Sequence, residues 1–181
     1  MSPFAILFVA GSLTCLMAQP RYTADGQLTL PGDYREWVFL SSGLGMTYQA
    51  PAAQSGQHAP AFTNVFVNPA AYRSFVSTGK GPDKTMLVLE VRASSSQGSI
   101  NRAGSYQSGV LAIEGEVKDS AKFPGNGWAF FGFGKSTTGK MLAHSADCYN
   151  CHLEQGAVDN TFVQFYPVLM EIAKQKGTLK R

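Results

Sequence analysis

Five runs of β-branched and aromatic residues, each bounded by Gly, Pro, Ser or Asn, constrain this chain more than any other feature. They are Glu36 to Leu40, Phe62 to Val67, Thr85 to Arg92, Val110 to Lys118 and Trp128 to Phe133. Such side chains fit a pleated, half-buried surface, and the flanking residues supply the turns between strands. An antiparallel sheet of about five strands is the economical assembly. Two short helices are punctuated around it. Asn68 stands as N-cap, with Pro69 at the first helical position and Gly79 just past Ala70 to Ser77. The second helix runs from Pro167 to about Lys176, with Gly177 as its stop and Lys174 and Lys176 in its last turn, where cations favour the helix dipole. The fold is therefore α+β and mainly β, with a few short helices and a C-terminal segment that carries the chemistry.

At 181 residues the chain is long enough for one cored domain, and nothing in it suggests a repeat or a second domain. The N-terminus, Met1 to Ala18, lacks charged side chains and carries an apolar stretch too short to span a bilayer comfortably. It reads as a secretory signal covering residues 1–18, with a retained membrane anchor as the alternative, and leaves a domain of residues 19–181. Cys15 would leave with the signal. Two cysteines then remain in a compartment where idle thiols oxidise, so they have a specific use. The fifteen Lys and Arg are scattered without a run or an aromatic-interleaved stripe, which gives no support for nucleic-acid binding.

Cys148-Tyr149-Asn150-Cys151-His152 has the C-x-x-C-H spacing of covalent haem attachment. Two thiols one tight turn apart can each form a thioether with a haem vinyl group, and the next residue can then ligate the iron. One covalent haem c is the expected cofactor, held by Cys148 and Cys151 with His152 as axial ligand. Two other uses stay open on spacing alone. The pair could form a disulfide or redox couple, or His144 could join Cys148, Cys151 and His152 around zinc, although adjacent ligands suit one tetrahedral ion poorly. Only 29 residues follow His152. Among them Met170 sits with Val168, Leu169 and Ile172 on the C-terminal helix, where a core methionine is the plainer reading. His58 and His144 fit surface positions as well as sixth-ligand roles. No residue marks itself as a second axial ligand, so the expectation is five-coordinate iron with an open face.

The stretch from Cys148 to Pro167 strongly resembles the cytochrome P-460 family, which includes the beta-type cytochromes c-prime. Tyr34 to Val38, Phe62 to Pro69, Thr85 to Glu90, Val117 to Ser120 and Gly127 to Phe130 match in order. The resemblance implies a periplasmic, homodimeric protein with a mainly antiparallel β fold, His152 as proximal ligand and a vacant or water-filled distal site. Hydroxylamine-oxidising members carry a lysine cross-linked to the macrocycle on the strand matching Thr85 to Glu90, and Leu89 stands at that position here. Lys84 is five residues away, on the order of 16 Å along a strand and on the opposite face.

Leu89 alternates with Leu87 and Val91 and would present an aliphatic wall without a proton donor. That suits capture of nitric oxide and places the chain nearer the beta-type cytochromes c-prime, with Phe62 as candidate distal cap and Phe66 and Phe130 as rivals. Glu114 matches a distal carboxylate of the hydroxylamine-oxidising members and could relay protons if buried; a solvated strand edge is the equal alternative, since Glu114, Glu116 and Ala112 share a face. Three functions follow: capture of a small gaseous or nitrogenous ligand, oxidation of hydroxylamine, or plain electron transfer through a sixth ligand such as Met170 or His144, with an electron-transfer partner unspecified by the sequence.

Overall fold

The computed structural model describes residues 19–47 and 59–180. The expected signal over residues 1–18 and His58 lie outside these. The elements in chain order are β1 (Leu28–Thr29), β2 (Val38–Leu44), β3 (Phe62–Val67), α1 (Pro69–Thr78), β4 (Met86–Ser95), β5 (Tyr106–Lys118), β6 (Trp128–Gly134), β7 (Thr138–Met141), α2 (Asp147–Gln155) and α3 (Pro167–Lys176). All strands join one antiparallel sheet in the order β1-β7-β6-β5-β4-β3-β2, which makes β5 its central strand.

The sheet has seven strands where the sequence suggested about five. The two additions are short: β7 turns back beside β6, and β1 pairs with it through Leu28 and Thr29. Neither holds enough β-branched or aromatic residues to register as a run. The first expected strand also begins later, because Tyr34–Glu36 forms a 3-10 turn.

Side chains alternate across the sheet. Met86 and Val88 of β4, Ile113 and Val117 of β5 and Phe131 of β6 face one way and are capped by Leu28, Tyr34, Trp37 and Phe123. Tyr34 and Arg35 donate to the buried Glu90 carboxylate, and Arg92 Nε binds its other oxygen, tying the 3-10 turn to β4. Burial alone would raise the Glu90 pKa, but these donors outweigh it and hold the carboxyl below its ordinary range. On the other face, Val67, Leu87 and Trp128 pack against Ala71 and Phe75 of α1 and Leu169 and Ala173 of α3.

Asn68 precedes α1 as expected, yet its side chain makes no cap; Asn68 Oδ1 accepts from Met86 N at 2.8 Å and fastens the helix to β4. Gly79 and Gly177 end α1 and α3 in the left-handed conformation, with φ of 78° and 65°, a conformation open to glycine at little steric cost.

Candidate functional site

The C-x-x-C-H segment lies at the start of α2, a helix the sequence did not single out. Asp147 in its first turn favours the positive end of the helix dipole. Tyr149 anchors α2 to the sheet: its hydroxyl donates to Leu142 O at 3.3 Å and its ring meets Phe130 edge-on at 4.8 Å. Residues three apart share a helix face, so Cys148 and Cys151 present their free thiols on the same side. Both line, together with His152, an open cavity of about 310 Å³ between α2 and the face of the sheet that carries Leu87 and Leu89. Burial raises the Cys148 pKa, and the charge of Glu114 adds to the shift.

His152 is tightly boxed. Its ring lies 4.5 Å from that of Phe130 and 4.2 Å from that of Phe162. Nδ1 is 2.8 Å from Asn160 O. A carbonyl can only accept, so Nδ1 carries the proton and Nε2 keeps its lone pair. Burial lowers the pKa of the ring, which favours this neutral state. Glu116 Oε2 stands 3.3 Å from the same Nδ1 but has no hydrogen-bond partner, because the Nδ1 proton is committed to Asn160. Glu116 is buried at the cavity wall, and burial pushes its pKa up to about 8.

Asn160 reaches the imidazole from a two-residue turn. Val158 and Thr161 pair antiparallel, and between them Asp159 and Asn160 take φ of 46° and 61°. Two consecutive positive values define the tight turn that Asn-Gly or Asp-Gly normally occupies, and they cost a residue with a side chain free energy. Lys118 Nζ reaches Asp159 Oδ2 at 2.5 Å and Gly81 O at 2.9 Å. Gly156 packs directly behind: a Cβ there would sit 2.6 Å from His152 O and 2.8 Å from Asn160 C.

The cavity wall sorts the remaining expectations. Leu89 lines it and pairs across strands with Glu114, which also lines it. Glu114 is exposed at the rim, although the surrounding protein still raises its pKa by desolvation. Phe62 is not brought to the cavity. It alternates with Thr63 and Val65, both of which line the cavity, and so its side chain projects from the other face of β3. Phe66 shares that far face, 5.8 Å from the Tyr34 ring. Phe130 does line the cavity, but against His152. Lys84 precedes β4 and binds Asp119, away from the cavity.

His144 lies tilted against Tyr149 with ring centroids 4.5 Å apart, and Met170, within α3, packs partly buried against the core; neither lines the cavity. The thioether that does line it belongs to Met46, folded over Gly43. Among the described residues no group of three His, Cys, Asp or Glu is arranged to hold a metal ion, so the zinc arrangement does not form. Sequence reasoning missed Glu116, Phe162 and the Asn160 carbonyl. The alternation along β5 was the one available signal for Glu116.

These residues fit an iron tetrapyrrole: an apolar-walled cavity, two thiols on one helix face, and an imidazole whose Nε2 is free. The family model described as cytochrome P-460 matches residues 31–163, well over half of the chain. No curated protein matches it.

Proposed function

Starting from the fact that the chain belongs to the cytochrome P-460 family and is a haem-binding cytochrome, we propose that it carries one haem c and captures nitric oxide or a similarly small neutral ligand. Cys148 and Cys151 would hold the group through thioethers, and His152 Nε2 would ligate its iron. When bound, the haem supplies an iron centre with one position open to a diatomic ligand. The chain does the rest. Phe130 and Phe162 fix the plane of the imidazole, Asn160 fixes its tautomer, and Leu87 and Leu89 keep the facing wall dry.

The observation that carries this reading is Leu89 on the cavity wall, at the position where the resemblance puts a cross-linking lysine; no lysine is among the described residues that line the cavity. An aliphatic wall offers neither a cross-link nor a hydrogen bond to a polar ligand. Export to the periplasm, removal of residues 1–18, homodimer formation and an electron-transfer partner belong to the same proposal.

A second reading, oxidation of hydroxylamine, draws on Glu114. Its carboxyl lines the cavity, and desolvation raises its pKa, which makes the carboxylate a stronger proton acceptor. One experiment separates the two: the optical spectrum of the reduced protein before and after nitric oxide, with turnover of hydroxylamine assayed beside it. A normal high-spin band that shifts with nitric oxide, without turnover, is the expected result. A strongly red-shifted band, with turnover lost in Glu114→Gln, would replace capture by oxidation.

A further inference from the structure

The Lys118 side chain spends its charge on a turn that does no visible work except to hold one carbonyl. Asp159 and Asn160 both occupy positive φ, and such a turn is kept only where its surroundings enforce it. Two groups on either side enforce it here. Lys118 Nζ binds Asp159 Oδ2 at 2.5 Å, anchored in turn by Gly81 O at 2.9 Å. Gly156, at the end of α2, leaves room for the Asn160 backbone to close on the helix. The atom delivered by this closure is Asn160 O, 2.8 Å from His152 Nδ1.

We propose that Lys118 is a positioning residue for His152: by clamping Asp159 it holds the Asn160 carbonyl on Nδ1 and thereby sets the tautomer, orientation and donor strength of the imidazole. This rests on the reading of His152 as an axial haem ligand. An acceptor on Nδ1–H makes the opposite nitrogen more basic and favours the oxidised metal. Lys118 itself touches neither the cavity nor the imidazole. It acts through the sheet, since it lies two residues beyond Glu116 on the central strand, with its ammonium turned to the same side.

The test uses the haem-loaded protein with K118M, which keeps much of the aliphatic stem, K118R, which restores the charge, and D159N, which removes the partner charge from a residue type that tolerates the same φ. Three readouts are taken: the iron–histidine stretching frequency, the reduction potential, and exchange of the His152 Nδ1 proton. K118M and D159N should each lower the frequency, raise the potential and speed exchange roughly two- to tenfold, the range expected for losing one net hydrogen bond. K118R should restore all three toward the parent, and the K118M/D159N double variant should go no further than either single one. Unchanged readouts in a folded K118M protein, or additive effects in the double variant, would overturn the proposal. If the parent carried no covalent haem, the haemochrome spectrum would show that separately; the clamp would then stand or fall on Nδ1 proton exchange, which K118M must still accelerate.

Discussion

Gly156→Ala separates two physical effects of opposite sign. Gly156 has φ of −63°, a value any residue adopts, so backbone freedom does not explain a glycine there. On entropy alone the substitution should stabilise the fold by about 0.4–1 kcal/mol, because alanine has fewer unfolded conformations to lose. Space argues the other way. The new Cβ would lie 2.6 Å from His152 O, 2.8 Å from Asn160 C and 2.9 Å from Asn160 Cα, against an ordinary contact that starts at 3.4 Å. All three atoms are backbone and cannot rotate aside, so the Asn160 turn must retreat by 0.5–0.6 Å and the His152 carbonyl of α2 by 0.8 Å, the differences between those distances and 3.4 Å. A retreat of that size takes the 2.8 Å contact from Nδ1 to Asn160 O beyond good hydrogen-bond length. Overpacking costs about 1–3 kcal/mol and the lost bond about 0.5–1.5 kcal/mol. After the entropy gain, the net loss is on the order of 2 kcal/mol, or about 5 °C in melting temperature for a chain of this size. Denaturant unfolding of the haem-loaded variant and parent, compared at equal slope, measures it. A variant as stable as the parent or more so, with unchanged His152 Nδ1 exchange, would refute the argument from space.

Glu90→Gln tests the buried network on the far face of the sheet. Because the donors hold the folded pKa of Glu90 below its ordinary value, its contribution is complete above that ordinary value and disappears as pH falls through the folded one. The variant should lose about 1–3 kcal/mol at neutral pH and show a flatter acid limb in a stability profile measured by denaturant titration; parallel profiles would place the acid sensitivity elsewhere. Leu89→Ala should open the cavity wall, costing about 1–3 kcal/mol because Leu89 is only half-buried, and should let imidazole bind the oxidised protein more tightly than it binds the parent. Equal imidazole affinity in a spectrophotometric titration would mean that Leu89 does not limit access.

What the sequence made legible was local. The long strands announce themselves by composition, α1 and α3 by a proline at one end and a glycine at the other, and the C-x-x-C-H unit by spacing. Contacts between distant segments were not legible. Asn68 occupies the expected N-cap position, yet its side chain goes to Met86, a choice fixed by how α1 docks on β4. Phe62 lies on a real strand, but which of its two faces meets the cavity depends on register: Val65 pairs with Leu89, and so Thr63 and Val65 face the site while Phe62 and Phe66 do not. Along β5 the alternation put Glu114 and Glu116 on one face without ranking their depth. Helix α2 and the loop after it make the difference, enclosing Glu116 beside His152 and leaving Glu114 at the rim.

The same strand also explains how a site assembled from a helix and a strained turn can be held to fractions of an ångström. Glu114, Glu116 and Lys118 occupy alternate positions of β5 and therefore point to one side, in steps of about 6–7 Å. Each meets a different part of the site: Glu114 the cavity rim, Glu116 the imidazole, and Lys118 the turn whose carbonyl binds that imidazole. With three strands on either side, β5 is the element least free to move. A one-residue slip would send all three side chains into the apolar layer of Tyr34, Trp37 and Phe131 and bring Val117 and Ile113 to the cavity. Burying three ionisable groups there would cost far more than any single contact in the site contributes. The polar residues that address His152 thus also fix the register of the strand that carries them, and a variant that disturbs that register should lose the fold and the site together.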